Sequence, residues 1–122
     1  MSKIQLNWSK LIPFTEEEIK KLGVISGVYR LSKKADDEKY YVFYVGSTDD
    51  LKVRLLLLFK NDTENSKLNV FLKTGGEIRF RYAVVKEKNI QEAIEKAMFK
   101  TYLPEYNTEE PKSSLEIEAN LN

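Results

Sequence analysis

The chain has 122 residues, 42% of them hydrophobic and 32% charged, with 20 basic side chains against 19 acidic ones. That length supports one domain burying roughly two-thirds of its unfolded surface, and the near-neutral balance lacks the strong basic footprint of a dedicated polyanion binder. Neither Cys nor His occurs, which excludes disulfides, thiolate or imidazole metal sites and Ser-His or Cys-His catalysis, leaving carboxylates, Tyr, Lys, Arg and hydroxyls.

The apolar run Leu55 to Phe59 is far short of the roughly 20 residues that cross a bilayer, and the N-terminus has no apolar signal region. A cytoplasmic protein with no membrane partner is expected. Residues 108–122 carry Glu109, Glu110, Glu116 and Glu118 against Lys112, so residues 1–107 are mildly basic.

In chain order, Thr15 with Glu18 forms a capping box that predicts a short helix, and Gly23 after Lys20 and Lys21 suits its end. Residues 1–24 are an N-terminal segment whose Trp8 and Phe14 are available to pack on the domain. Gly27 to Leu31 and Tyr40 to Gly46 predict two strands of an antiparallel hairpin around the polar stretch Ser32 to Lys39. Tyr41 to Val45 lacks polar alternation, which places the second strand at the centre of the sheet.

Thr48, Asp49 or Asp50 can cap a helix running to about Lys60, and Asn65 or Ser66 can cap another that ends at Gly75-Gly76. Ile78, Phe80, Tyr82 and Val84 alternate with Arg79 and Arg81, as in a strand with one face inside. Ile90, Ala93, Ile94, Ala97, Met98 and Thr101 share one helical face; Asn89 with Glu92 predicts its start, and Pro104 its stop. The polar acidic tail from 108 is expected to fray. The outcome is an α+β domain over residues 25–107: a small three-stranded antiparallel sheet flanked by helices, in the order β-β-α-α-β-α.

Two helix positions stand out. Arg54 lies at the edge of the stripe made by Leu51, Leu55, Leu58 and Phe59, about 60° from Leu51, where a half-buried guanidinium needs an anion from this chain or a phosphate from outside. Glu95 sits about 120° from the centre of its helix's apolar stripe, neither core nor fully outward.

Gly27-Val28-Tyr29 and Tyr44-Val45-Gly46 resemble the paired signatures of the GIY-YIG nuclease family. Arg54, eight residues after Gly46, and Glu95, nine before Pro104-Glu105-Tyr106-Asn107, are similar in spacing to that family's helix arginine and metal-binding glutamate. The likeness extends to the nuclease module of excision-repair incision enzymes. It covers residues 24–107 and implies a metal-dependent endonuclease acting on DNA, with Mg²⁺ or Mn²⁺ held at Glu95 and a link to DNA repair. Tyr29, Tyr44, Arg54 and Glu95 would form the catalytic set, with Gly27, Gly46, Ser47 and Asn107 supporting it.

The family's mechanism implies that Tyr44 takes a proton from the attacking water, with Tyr29 as partner or substitute, while Arg54 steadies the phosphoryl oxygens. Arg79 and Arg81 could follow a nucleic-acid backbone, although a solvated strand face is the simpler explanation. Nicked or branched DNA, or a protein partner for targeting, would suit so small a domain. Two positions depart from the family pattern: Leu58 stands where many members have His or Tyr, and Ser47 where excision-repair members have Lys. Both departures favour a rival reading, a catalytically weakened domain that binds nucleic acid or protein.

Overall fold

The computed structural model describes residues 2–122. Ten elements follow in the order β1 (Ser2–Ile4), β2 (Ile12–Pro13), α1 (Glu16–Lys20), β3 (Gly27–Lys34), β4 (Tyr40–Thr48), α2 (Leu51–Phe59), α3 (Ser66–Lys73), β5 (Ile78–Val84), α4 (Lys88–Tyr102) and β6 (Ile117–Ala119). The principal sheet is antiparallel and runs β2-β5-β3-β4. It thus has four strands where the sequence suggested three. The added strand is two residues long, with Ile12 opposite Phe80 and Pro13 opposite Arg79.

Each face of the sheet buries a separate core. On one side Tyr29, Leu31 and Phe80 pack with Ile19 of α1, Leu51, Leu55 and Leu58 of α2 and Leu68 of α3. On the other, Val28, Val45 and Ala83 meet Ile94 and Met98 of α4. Alternate residues of β3 therefore serve opposite cores, as the pleat requires.

β4 is an edge strand rather than the centre of the sheet. Its apolar run reflects cover on both faces, and a bulge beside Phe43, where Leu31 pairs with Tyr44 but Ser32 with Val42, sends Phe43 and Tyr44 into the same core. The free edge is closed by the end of the domain. The Val45 N–H donates to Asn107 Oδ1 at 3.0 Å, Asn107 Nδ2 donates back to the Val45 carbonyl at 2.9 Å, and the Tyr106 N–H donates to the Phe43 carbonyl. One side-chain amide thereby replaces a ladder partner.

Helix starts follow local chemistry at three of four sites. Thr15, Asp50 and Asn65 each accept a backbone N–H of the first turn. The fourth start differs from expectation: α4 begins at Lys88 with Glu87 as its cap, and Asn89 lies inside the helix. Its other end turns through Leu103 in the left-handed region, one residue before Pro104. Gly23 is not left-handed, since α1 closes on Lys21 in a helical conformation. Phe59 is part exposed and meets Phe14 edge to face rather than joining the buried stripe.

The tail beyond 107, expected to fray, is tied down. β6 pairs in parallel with β1, Asn120 exchanges hydrogen bonds with the Leu6 backbone, and Trp8 Nε1 donates to the Asn120 carbonyl. Arg30, buried under this strap, donates to the Leu121 carbonyl and lies over the rings of Trp8 and Tyr102. Burial lowers the Arg30 pKa, a cost that the carbonyl and the two ring faces offset.

Candidate active site

Tyr29 and Tyr44 come from neighbouring strands and project to the α2 side of the sheet, their ring centroids 6.3 Å apart. The Tyr29 ring lies over Gly46, its cross-strand partner. A Cβ at position 46 would come within 2.5 Å of the Tyr29 hydroxyl oxygen, so the second glycine triplet makes room for the tyrosine of the first. Gly27 answers to a similar constraint, because a Cβ there would run into the Ala83 carbonyl.

Arg54 reaches both rings. Its Nε donates to the Tyr29 hydroxyl at 3.3 Å and its Nη2 to the Tyr44 hydroxyl at 3.2 Å. Burial disfavours its charge, but the two phenols outweigh this and hold its pKa above the usual range. Nη2 also lies 3.3 Å from Glu64 Oε1, which supplies the anion that a half-buried guanidinium requires.

Glu95 projects from α4 toward the same strand and accepts a 2.7 Å hydrogen bond from Ser47 Oγ. Burial raises its pKa; the Ser47 hydrogen bond opposes the rise, nearby Glu92 adds to it, and the charge of Arg54 opposes it. Tyr29 is only 1% exposed. Its pKa is pushed well up, first by burial and then by Tyr44, despite the opposing pull of Arg54. Tyr29 therefore stays a neutral phenol at any ordinary pH and is no base in this arrangement.

A cavity of about 520 Å³ opens at the free edge of β4. Tyr44, Ser47, Glu95 and Asn107 line it, together with Glu64, Asn65, Glu92 and the tail segment Thr108 to Lys112. Tyr29 and Arg54 lie behind Tyr44 and connect to the cavity through it. Arg79 and Arg81 do not line it: Arg79 pairs with Glu77, and Arg81 donates to the Ser9 carbonyl.

The donor set bears on metal binding. Among the described residues no three His, Cys, Asp or Glu side chains are grouped so as to hold an ion. Glu95 instead offers one carboxylate, one oxygen of which is engaged by Ser47, facing a cavity with room for water. That set fits Mg²⁺, which keeps several waters and needs only one or two carboxylates.

The structure is similar to the GIY-YIG N-terminal endonuclease domain of UvrC from Thermotoga maritima. In a point-mutant form bound to its catalytic divalent cation, that domain matches with a TM-score of 0.56 at 23% identity, over 78% of this chain and 100% of the domain. The magnesium-bound form matches with a TM-score of 0.56 at 22% identity, over 77% of this chain. The chain has the GIY-YIG fold. No family model and no curated relative matches it. The segment Thr108 to Lys112 is the part of the cavity wall that the two signature triplets do not announce. Glu64 was also missed, as a loop carboxylate without a motif whose one signal was Arg54's need of an anion, and Glu92, read as the partner of Asn89 in a capping box, lines the cavity instead.

Proposed function

We propose that this protein is a metal-dependent endonuclease that hydrolyses DNA phosphodiester bonds. One observation carries the reading: Tyr44 of a strand and Glu95 of a helix line one cavity, and Arg54 of a second helix donates to the Tyr44 hydroxyl from behind it. The GIY-YIG fold, seen in a domain described as an endonuclease bound to magnesium, supports it.

Glu95 would hold Mg²⁺ or Mn²⁺ together with water, and the bound ion would polarise the phosphate and neutralise charge on the leaving oxygen. Arg54 presents a planar fork of donors suited to the phosphoryl oxygens. Tyr44 would accept a proton from the attacking water, since it lines the cavity and its hydroxyl oxygen is fixed by the Arg54 hydrogen bond. Tyr29 positions Arg54 from beneath rather than moving a proton itself. Ser47 orients the Glu95 carboxylate, Gly27 and Gly46 allow the strands and rings to approach, and Asn107 holds the β4 edge at the cavity mouth. Arg79 and Arg81, outside the cavity, are left only flanking phosphates of a longer substrate. Nicked or branched DNA, with a partner protein for targeting, suits a site that lies at the edge of a small sheet.

One observation favours binding without cleavage. Leu58 is fully buried in the α2 core, so α2 offers no second polar group to help Tyr44. Incubation of the purified protein with nicked, branched and linear DNA in Mg²⁺, Mn²⁺ or EDTA, beside Arg54→Ala and Glu95→Ala, separates the readings. Metal-dependent cutting by the wild type alone is expected; the same behaviour from all three proteins overturns the nuclease.

A further inference from the structure

Part of the Arg54 guanidinium is already engaged. Of its donors, Nε is committed to Tyr29, while Nη2 is shared between Tyr44 and Glu64 Oε1. The two partners of this ion pair sit very differently. The Arg54 side chain is 21% exposed and held by two buried phenols, whereas the Glu64 side chain is 78% exposed.

The backbone around Glu64 is firmly held. Thr63 Oγ1 donates to Asn69 Oδ1 at 2.7 Å, and Asn69 Nδ2 donates back to the Thr63 carbonyl. On the other side Asn65 caps α3 through the Leu68 N–H and donates to the Tyr106 carbonyl at 2.7 Å. The Glu64 side chain extends into solvent from this anchored backbone, and a rotamer change needs no rearrangement of the loop. An exposed carboxylate also holds an arginine weakly, since solvent screens the pair.

Resting on the reading of Arg54 as a phosphate-binding group, we infer that Glu64 is a displaceable stand-in for the substrate phosphate. In the free protein it neutralises Arg54 and keeps the guanidinium aimed at the Tyr44 hydroxyl. A phosphodiester entering the cavity takes the same donor, and Glu64 swings to water. Glu64 thus competes with substrate and sets a threshold that a weakly held anion does not pass.

The test is fluorescence anisotropy with a labelled nicked DNA duplex at low salt in EDTA, so that binding is read without cleavage. Wild type, Glu64→Gln, Arg54→Ala and the double variant are compared, with thermal melts to confirm folding and Arg54→Lys as a second background. Glu64→Gln is expected to bind about three-fold more tightly, by roughly the strength of an exposed ion pair, and the gain should vanish without Arg54. No tightening, or an equal gain in the Arg54→Ala background, overturns the role of Glu64. If Arg54→Ala binds as well as wild type, the phosphate-binding reading of Arg54 falls and takes this inference with it.

Discussion

The Ser47 hydroxyl donates to Glu95 Oε1 at 2.7 Å and so ties β4 to α4 at the cavity edge. In the family comparison Ser47 stands where a lysine is expected and counts as a loss. In the structure it engages the Glu95 carboxylate, the group proposed to hold a metal ion, and favours that carboxylate's charged form.

Ser47→Ala removes the hydrogen bond that restrains the pKa of Glu95, so that pKa rises further above the ordinary carboxylate range. The ionised form is the one that holds a cation. The acid limb of metal-dependent cleavage should accordingly move to higher pH in the variant, as read from a pH-rate profile. An unmoved limb would separate Ser47 from Glu95.

Glu95→Gln in EDTA tests the same carboxylate through stability. Burial raises the folded-state pKa of Glu95 above its unfolded value, so folding binds a proton and the contribution of Glu95 is fully present only below the unfolded pKa. It is lost as pH rises through the folded value. Glutamine stays neutral throughout. Thermal melts should show the variant gaining on wild type as pH rises from about 4 toward neutrality; a constant difference across that range would refute the assignment.

Tyr29 and Tyr44 should respond differently to loss of their hydroxyls. Tyr44 lines the cavity, and Tyr44→Phe should lower cleavage by about 10²- to 10⁴-fold, the range of a lost proton acceptor. Tyr29→Phe deprives Arg54 Nε of its buried acceptor and should lower stability by about 1–3 kcal/mol. Its effect on cleavage should be smaller than that of Tyr44→Phe. Denaturant melts and single-turnover rates on both variants check this, and a larger rate loss for Tyr29→Phe would reverse the roles.

Gly46→Ala pushes a methyl group toward the Tyr29 hydroxyl, whose ring is enclosed by the core. Overpacking of this kind costs about 1–3 kcal/mol. The expected outcome is a lowered melting temperature together with weaker DNA binding, as the Tyr29–Arg54 contact is displaced. An alanine variant as stable as wild type would mean that the two strands can separate without loss.

Much of the fold was legible where periodicity was long. The α4 helix runs for fifteen residues, enough for the helical turn to impose its period, and β5 was legible as a strand, although Val84 is exposed rather than inside and Ala83 is buried in the core on the other face. Arg54 and Glu95 were legible as residues beside an apolar stripe, and the structure brings both to the edge of β4. Other features had no such signal. β2 is two residues long and β1 and β6 three each, too short for a pattern. The edge position of β4 was misread because apolar side chains report cover above and below a strand, whereas edges lie in the hydrogen-bonding plane. Asn107 closes that edge with its side chain, a pairing that strand propensity does not register.

The pairing of Ser2 with Ile117 and of Ile4 with Ala119 joins positions at opposite ends of the described chain. Contacts of that sequence separation carry the largest loop-closure entropy in the molecule, while the β3–β4 hairpin closes over a few residues. The hairpin and its helices should therefore assemble first, and the clasp of β1 on β6 should come last and open first. Residues 108–112 lead directly into that clasp, so the wall of the cavity belongs to the least protected cooperative unit of the fold, and its amides should exchange with solvent well before those of β3.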